Sequence, residues 1–334
     1  MNRIPFEQVH ECLARVLRSL GFSDERAQLS ARLLAETTCD GVYSHGVNRF
    51  ARLVAMVRNG SVDSASKPRA VARFGAMQRW DGQRGPGNLN AHAAMAQAIA
   101  LSREHGIGCV AMANTNHWMR GGTYGWQAAD AGVIGICWTN TMPNVPAWEG
   151  AEPAIGNNPL VIAVPRTSGH VVLDMAMSQF SYGALESYRS RGELLPVEGG
   201  FDAAGKLTRD PGAIENSQRL LPIGFWKGSG LAVMLDLIAA TASLGNATNQ
   251  IANDPLRETG LSQVFIAIDP RTLGESARLE QIAEEVVSSL HRSRPTTEGV
   301  RVRYPGENTL RLREENRRLG LPIEDAVWAE ICRM

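Results

Sequence analysis

The first sixty residues repeat apolar and polar positions with a helical period. Val9, Cys12, Leu13, Val16, Leu17 and Leu20 follow the i, i+3, i+4, i+7 spacing of one buried helix face, and Gly21 comes next as a stop. A second helix is predicted behind Ser23, a residue type that caps helix N-termini, with Asp24 and Glu25 suited to the positive helix end. A third, starting near Ser44, carries Val47, Phe50, Val54 and Val57 and stops near Gly60. Residues 1 to about 70 therefore read as a helical unit.

The pattern then changes. "IGCVAMANTN", "VIGICWTNT", "NPLVIAVP", "HVVLDMAM" and "SQVFIAIDP" are short β-rich runs. Between them, "NLNAHAAMAQAIALSREHG", "TYGWQAADAG", "SYGALESYRSRG" and "GSGLAVMLDLIAATASLG" carry helical spacing. This is the signature of an α/β or α+β domain. The Gly-, Pro- and Asp-rich stretch from Leu195 to Lys227 reads as a long ordered excursion, a type of loop that is usually functional when it sits in a compact domain. After about residue 300, "EENRRLG" and "PIEDAVWAEICRM" are helical again.

Composition narrows the function classes. With 334 residues there is room for about two domains and a large core. The 34 basic residues balance 34 acidic ones, so no global field favours nucleic acid or a membrane surface. No apolar h-region opens the chain and no run approaches a membrane span, which points to the cytosol. The five cysteines, Cys12, Cys39, Cys109, Cys137 and Cys332, are scattered and form no C-x-x-C pair. They are expected to be small buried hydrophobes rather than a disulfide framework or a zinc site, and no other metal-ligand spacing is found.

Four positions carry candidate chemistry. On a helix starting at Ser44, His45 and Arg49 lie about 40° apart, on a face the core does not use. That face reads either as solvated, with Ser44 as N-cap, or as a titrating imidazole beside a guanidinium able to grip a carboxylate. In "NTNHWMRGGTYGWQAA", His117 sits where an apolar strand turns into a helix, a place where open α/β sheets bind ligands; the same segment also reads as a polar turn around a packed tryptophan. Asp174 interrupts an apolar strand and needs a cation or a histidine. In "FWKGSG", Lys227 precedes an apolar helix whose free N–H groups suit a phosphate, yet neither a Walker loop nor a G-x-G-x-x-G fingerprint is present.

Taken together, "GVYSHGVNRF", "NTNHWMRGGTYGWQAA", "GICWTN", "NNPLVIAVP", "SYGALE", "GFWKGSG" and "ENRR" resemble the malate/L-lactate dehydrogenase family that lacks a Rossmann fold, and the likeness runs nearly end to end. The resemblance implies an α/β fold with a non-Rossmann NAD(P)-binding central α/β domain over residues 73–299. A helical domain is then formed by the N- and C-terminal segments, residues 1–72 and 300–334. It also implies a homodimeric reductase of a 2-oxo sugar acid, with NADH as preferred cofactor and NADPH as the alternative. The rival readings are a simpler 2-oxo acid or a cyclic imine acid as substrate, and, from another class, a silent sugar-acid-binding protein.

By the resemblance His45 is the proton donor and Arg49 the carboxylate clamp. His117 lies near substrate and nicotinamide, and Asp174 is associated with the active-site histidine and the cofactor. The cofactor segments correspond to His170, Val171, Val172, Leu173, Asp174, Met175 and Ala176, to Trp226 and Lys227, and to Gly306, Glu307 and Asn308. Departures fall at Glu149, where relatives carry glycine, at Asn157, in place of threonine, and in the hairpin "PRTSGHVV".

Overall fold

A computed structural model describes residues 2–272, 274 and 276–334. The chain opens with β1 (Asn2–Ile4), α1 (Phe6–Ser19) and α2 (Asp24–Cys39), followed after a break by α3 (Phe50–Arg58). The predicted stripe on α1 is what folds it: Val9, Leu13, Val16 and Leu17 are fully buried against Leu34, Phe50 and Leu53. Ser23 stands at the N-cap of α2, but its side chain makes no capping bond.

The central part begins with β2 (Arg69–Phe74) and β3 (Met77–Asp81), then α4 (Gly87–His105), β4 (Ile107–Asn116), α5 (Gly122–Asp130) and β5 (Ile134–Thr139). A short hairpin, β6 (Val145–Pro146) with β7 (Pro153–Ile155), precedes β8 (Leu160–Val164) and β9 (Val171–Met175). The predicted excursion is ordered. It holds α6 (Tyr182–Ser190), the small hairpin β10 (Gly200–Phe201) and β11 (Leu207–Thr208), and α7 (Pro211–Ser217), around a core of Val145, Leu185, Leu195, Ile214 and Leu220. Then come α8 (Trp226–Ser243), β12 (Thr259–Ile268), α9 (Ser276–Arg292), α10 (Glu307–Leu319), β13 (Leu321–Ile323) and α11 (Asp325–Arg333).

Seven strands form one sheet in the order β2-β3-β4-β12-β5-β8-β9. Only β3 and β4 run parallel; every other neighbouring pair is antiparallel. A Rossmann sheet is built from parallel βαβ units, so the missing glycine fingerprint follows from the topology. Helices α4 and α5 cover one face and α8 the other, which is why β12 reads as a continuous apolar run rather than an alternating one. Strands β2 and β3 escaped the sequence reading because β2 is an exposed edge: Arg69, Val71, Arg73 and Phe74 face solvent and leave no burial period. Helix α9 was also missed.

The chain ends meet. β1 pairs with β13, and Leu321, Ile323 and Ile331 join the α1–α3 core. Asp40 ties them electrostatically. Its carboxylate accepts from Arg313 Nε at 2.6 Å and Nη2 at 2.8 Å, and from Nη1 of the buried Arg120. Asp40→Asn strips Arg313 of its ion-pair partner and leaves Arg120, 5% exposed, with Asp174 at 3.6 Å as its remaining carboxylate among the described residues. The expected loss is about 3–5 kcal/mol of stability in urea denaturation; a change below about 1 kcal/mol would show that the cluster carries no such weight.

The cysteine expectation needs correction. Cys39 and Cys137 are buried, Cys12 and Cys109 are half-buried, and Cys332 is exposed, with its Sγ 3.9 Å from that of Cys12. Helix α11 is the last layer of the fold, so its outer positions have nothing above them.

Candidate active site

The third predicted helix begins later than its apolar stripe suggests. Two 3₁₀ turns, Tyr43–His45 and Val47–Arg49, precede α3 and are separated by Gly46 at φ −97°, ψ −126°. A side chain at Gly46 would lie 2.2 Å from Thr38 Oγ1 and 3.1 Å from the Leu34 carbonyl. The glycine therefore lets the segment press onto α2, and Thr38 Oγ1 accepts from Val47 N–H at 2.9 Å. Ser44 is not a helix cap; its hydroxyl lies 2.9 Å from His45 Nδ1. The 40° helical argument thus fails, yet both side chains enter the same cavity.

The second candidate segment divides between packing and chemistry. Trp118, 1% exposed, packs tilted against Tyr124 and edge-to-face against Phe265 in the core. His117 points the other way, its ring 5.8 Å from that of His45 and nearly parallel to it. Met119, held at φ +65°, donates its N–H to His117 Nδ1 at 3.1 Å. An accepting Nδ1 leaves the neutral ring's proton on Nε2, available as a donor.

These residues line a cavity of about 330 Å³. Its walls come from distant parts of the chain: Arg52 from α3, Thr141 and Asn144 beyond β5, Asn157 before β8, Tyr182 from α6, and Glu258 before β12. Gln218 closes α7 in the left-handed region, at φ +56°, and Asn253 comes from the loop after α8. Asn157 is the departure noted in the sequence, Tyr182 lies in "SYGALE" and Thr141 ends "VIGICWTNT", and Arg52 stands three residues after Arg49. Glu258, Gln218 and Asn253 lie in segments with no periodic or motif signature.

The electrostatics are those of a site awaiting an anion. Arg49 is half-buried, with the Ser44 carbonyl at 3.3 Å as its hydrogen-bond partner and no carboxylate within ion-pair distance among the described residues. Burial and the neighbouring Arg52 push its guanidinium down to about 10. Burial, reinforced by Arg49, Arg120 and Arg52, holds His45 down at about 3, and burial with Arg49 and His45 puts His117 well below the usual histidine range. Both imidazoles are neutral near pH 7.

That state has a stability signature. A histidine kept neutral in the fold but free to protonate near 6.5 once unfolded favours the unfolded chain below that pH. Stability is thus full above pH 6.5 and falls as pH drops toward 3, by about 2 kcal/mol at pH 5 from His45 alone. Urea midpoints of wild type and His45→Gln at pH 7.5 and 5 measure this; equal slopes for the two proteins would contradict it.

Asp174 faces elsewhere. Its Oδ2 accepts from Gly122 N–H at 2.9 Å and lies 3.6 Å from Arg120 Nε, so its required partners are a helix N-terminus and a cation. A side chain at Gly122 would strike this carboxylate at 2.6 Å. Asp174 is not among the residues lining the cavity that holds His45, and the charges that lower His45 there are cationic.

Comparison with known proteins decides the family. The sequence profile of the malate/L-lactate dehydrogenase family matches residues 4–332. The chain belongs to this family. It is 46% identical over 329 residues to the 2,3-diketo-L-gulonate reductase of Citrobacter koseri, covering 98% of this chain and 99% of that one. Among solved structures, malate dehydrogenase from Entamoeba histolytica superimposes with a TM-score of 0.94 at 24% identity, over 99% and 96% of the two chains. Δ1-Piperideine-2-carboxylate reductase from Pseudomonas syringae pv. tomato gives 0.87 at 26% identity, over 100% and 99%. As a member of this dehydrogenase family the protein is an oxidoreductase, and membership implies a nicotinamide cofactor.

The residues expected to hold that cofactor fit a single extended ligand. β9 is an edge strand of the sheet. At its start, Val172 N–H donates to the Pro305 carbonyl at 2.9 Å, which brings His170–Ala176 beside Gly306–Asn308. Gly306, at φ +93°, presses on the Val172 backbone and opens α10 with no side-chain cap. Beyond Glu307, whose N–H bonds the Tyr304 carbonyl at 3.2 Å, the first-turn N–H groups suit a phosphate. Just past the other end, Met177 bonds to Asn157 of the cavity and to Ile223, three residues before α8 and its exposed Trp226 and Lys227. The strand therefore leads from a helix N-terminus to the edge of the His45 pocket.

Proposed function

We propose that this protein reduces the 2-oxo group of a sugar acid, 2,3-diketo-L-gulonate to 3-dehydro-L-gulonate, with NADH as the preferred cofactor. The observation that carries the reading is Arg49, a half-buried cation with no carboxylate in ion-pair distance among the described residues, in a cavity that also holds two neutral histidines, the Arg52–Glu258 pair and four side-chain amides. A 2-oxo acid offers a carboxylate for the guanidinium and a carbonyl oxygen for an imidazole N–H. Relatives at 45–46% identity named 2,3-diketo-L-gulonate reductase support the choice of sugar acid.

The cofactor, held by His170–Ala176, Trp226, Lys227 and Gly306–Asn308, supplies the hydride when bound. Arg49 grips the carboxylate through charge-assisted bonds and so fixes where the carbonyl points. The anion also offsets the nearest charge that opposes protonation of His45, so substrate and proton enter together and His45 becomes the acid that serves the developing alkoxide. His117 Nε2 is a second donor toward the same oxygen.

Purified protein should oxidise NADH faster with 2,3-diketo-L-gulonate than with pyruvate, oxaloacetate or Δ1-piperideine-2-carboxylate, and faster than it oxidises NADPH. Preference for another substrate would replace the sugar acid in this reading, and no turnover with any would overturn it.

The reading includes a homodimer in the cytosol. No described helix is long and apolar enough to cross a membrane. One side of α8 packs on the sheet through Ala232, Leu235 and Ala239, while Leu231, Met234, Leu237 and Ile238 on the other are 39–52% exposed, beside Trp226 at 63%. An apolar face of this kind is covered in a stable protein. Met234→Glu with Leu237→Glu should give monomers in analytical ultracentrifugation where wild type sediments as a dimer.

A further inference from the structure

The cavity contains two guanidiniums and one carboxylate, and they are not equivalent. Arg52 is neutralised: its Nη2 donates to Glu258 Oε2 at 2.8 Å and its Nε to the Pro255 carbonyl at 2.8 Å. Glu258 is 3% exposed and its other oxygen accepts from Met142 N–H at 3.3 Å, so both oxygens are committed. Arg49 has no carboxylate within ion-pair distance among the described residues. Glu186, which acts on Arg49 through space, is exposed on α6 and is not part of the cavity wall. With both histidines neutral, the pocket presents one positive charge to a ligand.

A ligand with one carboxylate balances that charge. A second carboxylate has no free cation: it would meet Arg52 already paired, and would face the buried Glu258 beside it. Like charges brought together in a poorly solvated site cost binding directly. The rest of the polar wall is neutral, with the amides of Asn144, Asn157, Gln218 and Asn253 and the Tyr182 hydroxyl suited to carbonyls and hydroxyls. In Asn157 the Oδ1 is already taken, by Thr141 Oγ1 and Asn144 Nδ2, both at 3.0 Å, which leaves its Nδ2 donors for a ligand.

We propose that Glu258 is a specificity-determining residue that, by neutralising Arg52, restricts this pocket to 2-oxo acids with a single carboxylate. The inference deepens the proposed function and rests on its reading that this cavity takes the 2-oxo acid.

The test compares kcat/KM for oxaloacetate, with two carboxylates, and 2,3-diketo-L-gulonate, with one, in wild type, E258Q and the double variant R52Q/E258Q. In E258Q the unpaired Arg52 should raise the oxaloacetate-to-diketogulonate ratio by about tenfold or more. The double variant, neutral at both positions, should return to the wild-type ratio. An E258Q protein that is folded by circular dichroism and keeps its ratio within about twofold of wild type overturns the inference, as does a double variant that shifts like E258Q. Should E258Q fail to fold, the double variant decides alone: an unchanged ratio supports the proposal and a shifted one overturns it. Calorimetric binding of L-lactate and L-malate to the same proteins gives the same comparison without turnover. Absence of turnover in wild type would therefore strike the proposed reaction, while the binding ratio still judges Glu258.

Discussion

His45→Gln is expected to yield a folded, NADH-binding protein that reduces substrate about 10²- to 10⁴-fold more slowly than wild type, the usual contribution of a positioned general acid. Glutamine keeps a polar group of similar reach near Ser44 but cannot deliver a proton. The loss should fall on kcat, because the carboxylate clamp and the cofactor segments are untouched. His45 also starts from a value held down at about 3 by burial and the neighbouring arginines, so its protonation depends on an anion that offsets them. Proton uptake on binding a non-reducible 2-oxo acid analogue, measured in two buffers by calorimetry, should be seen in wild type and be absent in His45→Gln. Near-normal turnover of the variant would remove His45 from the acid role and leave His117, with its proton on Nε2, as the donor.

The second large effect couples activity to stability with opposite signs. Arg49→Met should lower kcat/KM by about 10³-fold, since a buried charge-assisted clamp for a carboxylate is worth several kcal/mol. The same variant should be more stable than wild type when no ligand is present. Arg49 is a half-buried cation whose one hydrogen bond among the described residues is to a carbonyl, and its partial burial has already pulled its guanidinium down to about 10. An apolar side chain of similar length relieves that cost, by about 1–3 kcal/mol. Thermal unfolding with and without a 2-oxo acid separates the two effects: the ligand should raise the Tm of wild type and leave that of Arg49→Met unchanged. A variant that is less stable than wild type would mean that Arg49 is structural.

Much of this site was legible along the chain because its chemistry lies in short segments. "SHGVNR" holds a titrating group and a guanidinium within five residues, and "NHWMRGG" sits at the end of an apolar strand, so both could be named before any fold was known. The reason first offered for the His45 and Arg49 pair was nevertheless mistaken. A regular helix from Ser44 would have placed them on one face, whereas Gly46 interrupts the segment because Thr38 and Leu34 leave no room for a side chain there. The pairing comes from two 3₁₀ turns held against α2. A strand such as β2 could not be read at all, since an edge with both faces wet carries no alternation.

The sequence by itself determined the helical opening, the apolar strands, the family likeness and the residues able to supply a proton and an anion clamp. These are properties of period and of local residue type, and they survive without knowledge of contacts. Only the tertiary structure decided the sheet order, with its single parallel pair, and the charge state of the pocket. It decided that Asp174 serves Gly122 and Arg120 rather than meeting His45 in the cavity, that Arg52 is silenced by a glutamate 206 residues away, and that Arg49 is not. Burial and through-space charge set those outcomes, and neither is a function of distance along the chain.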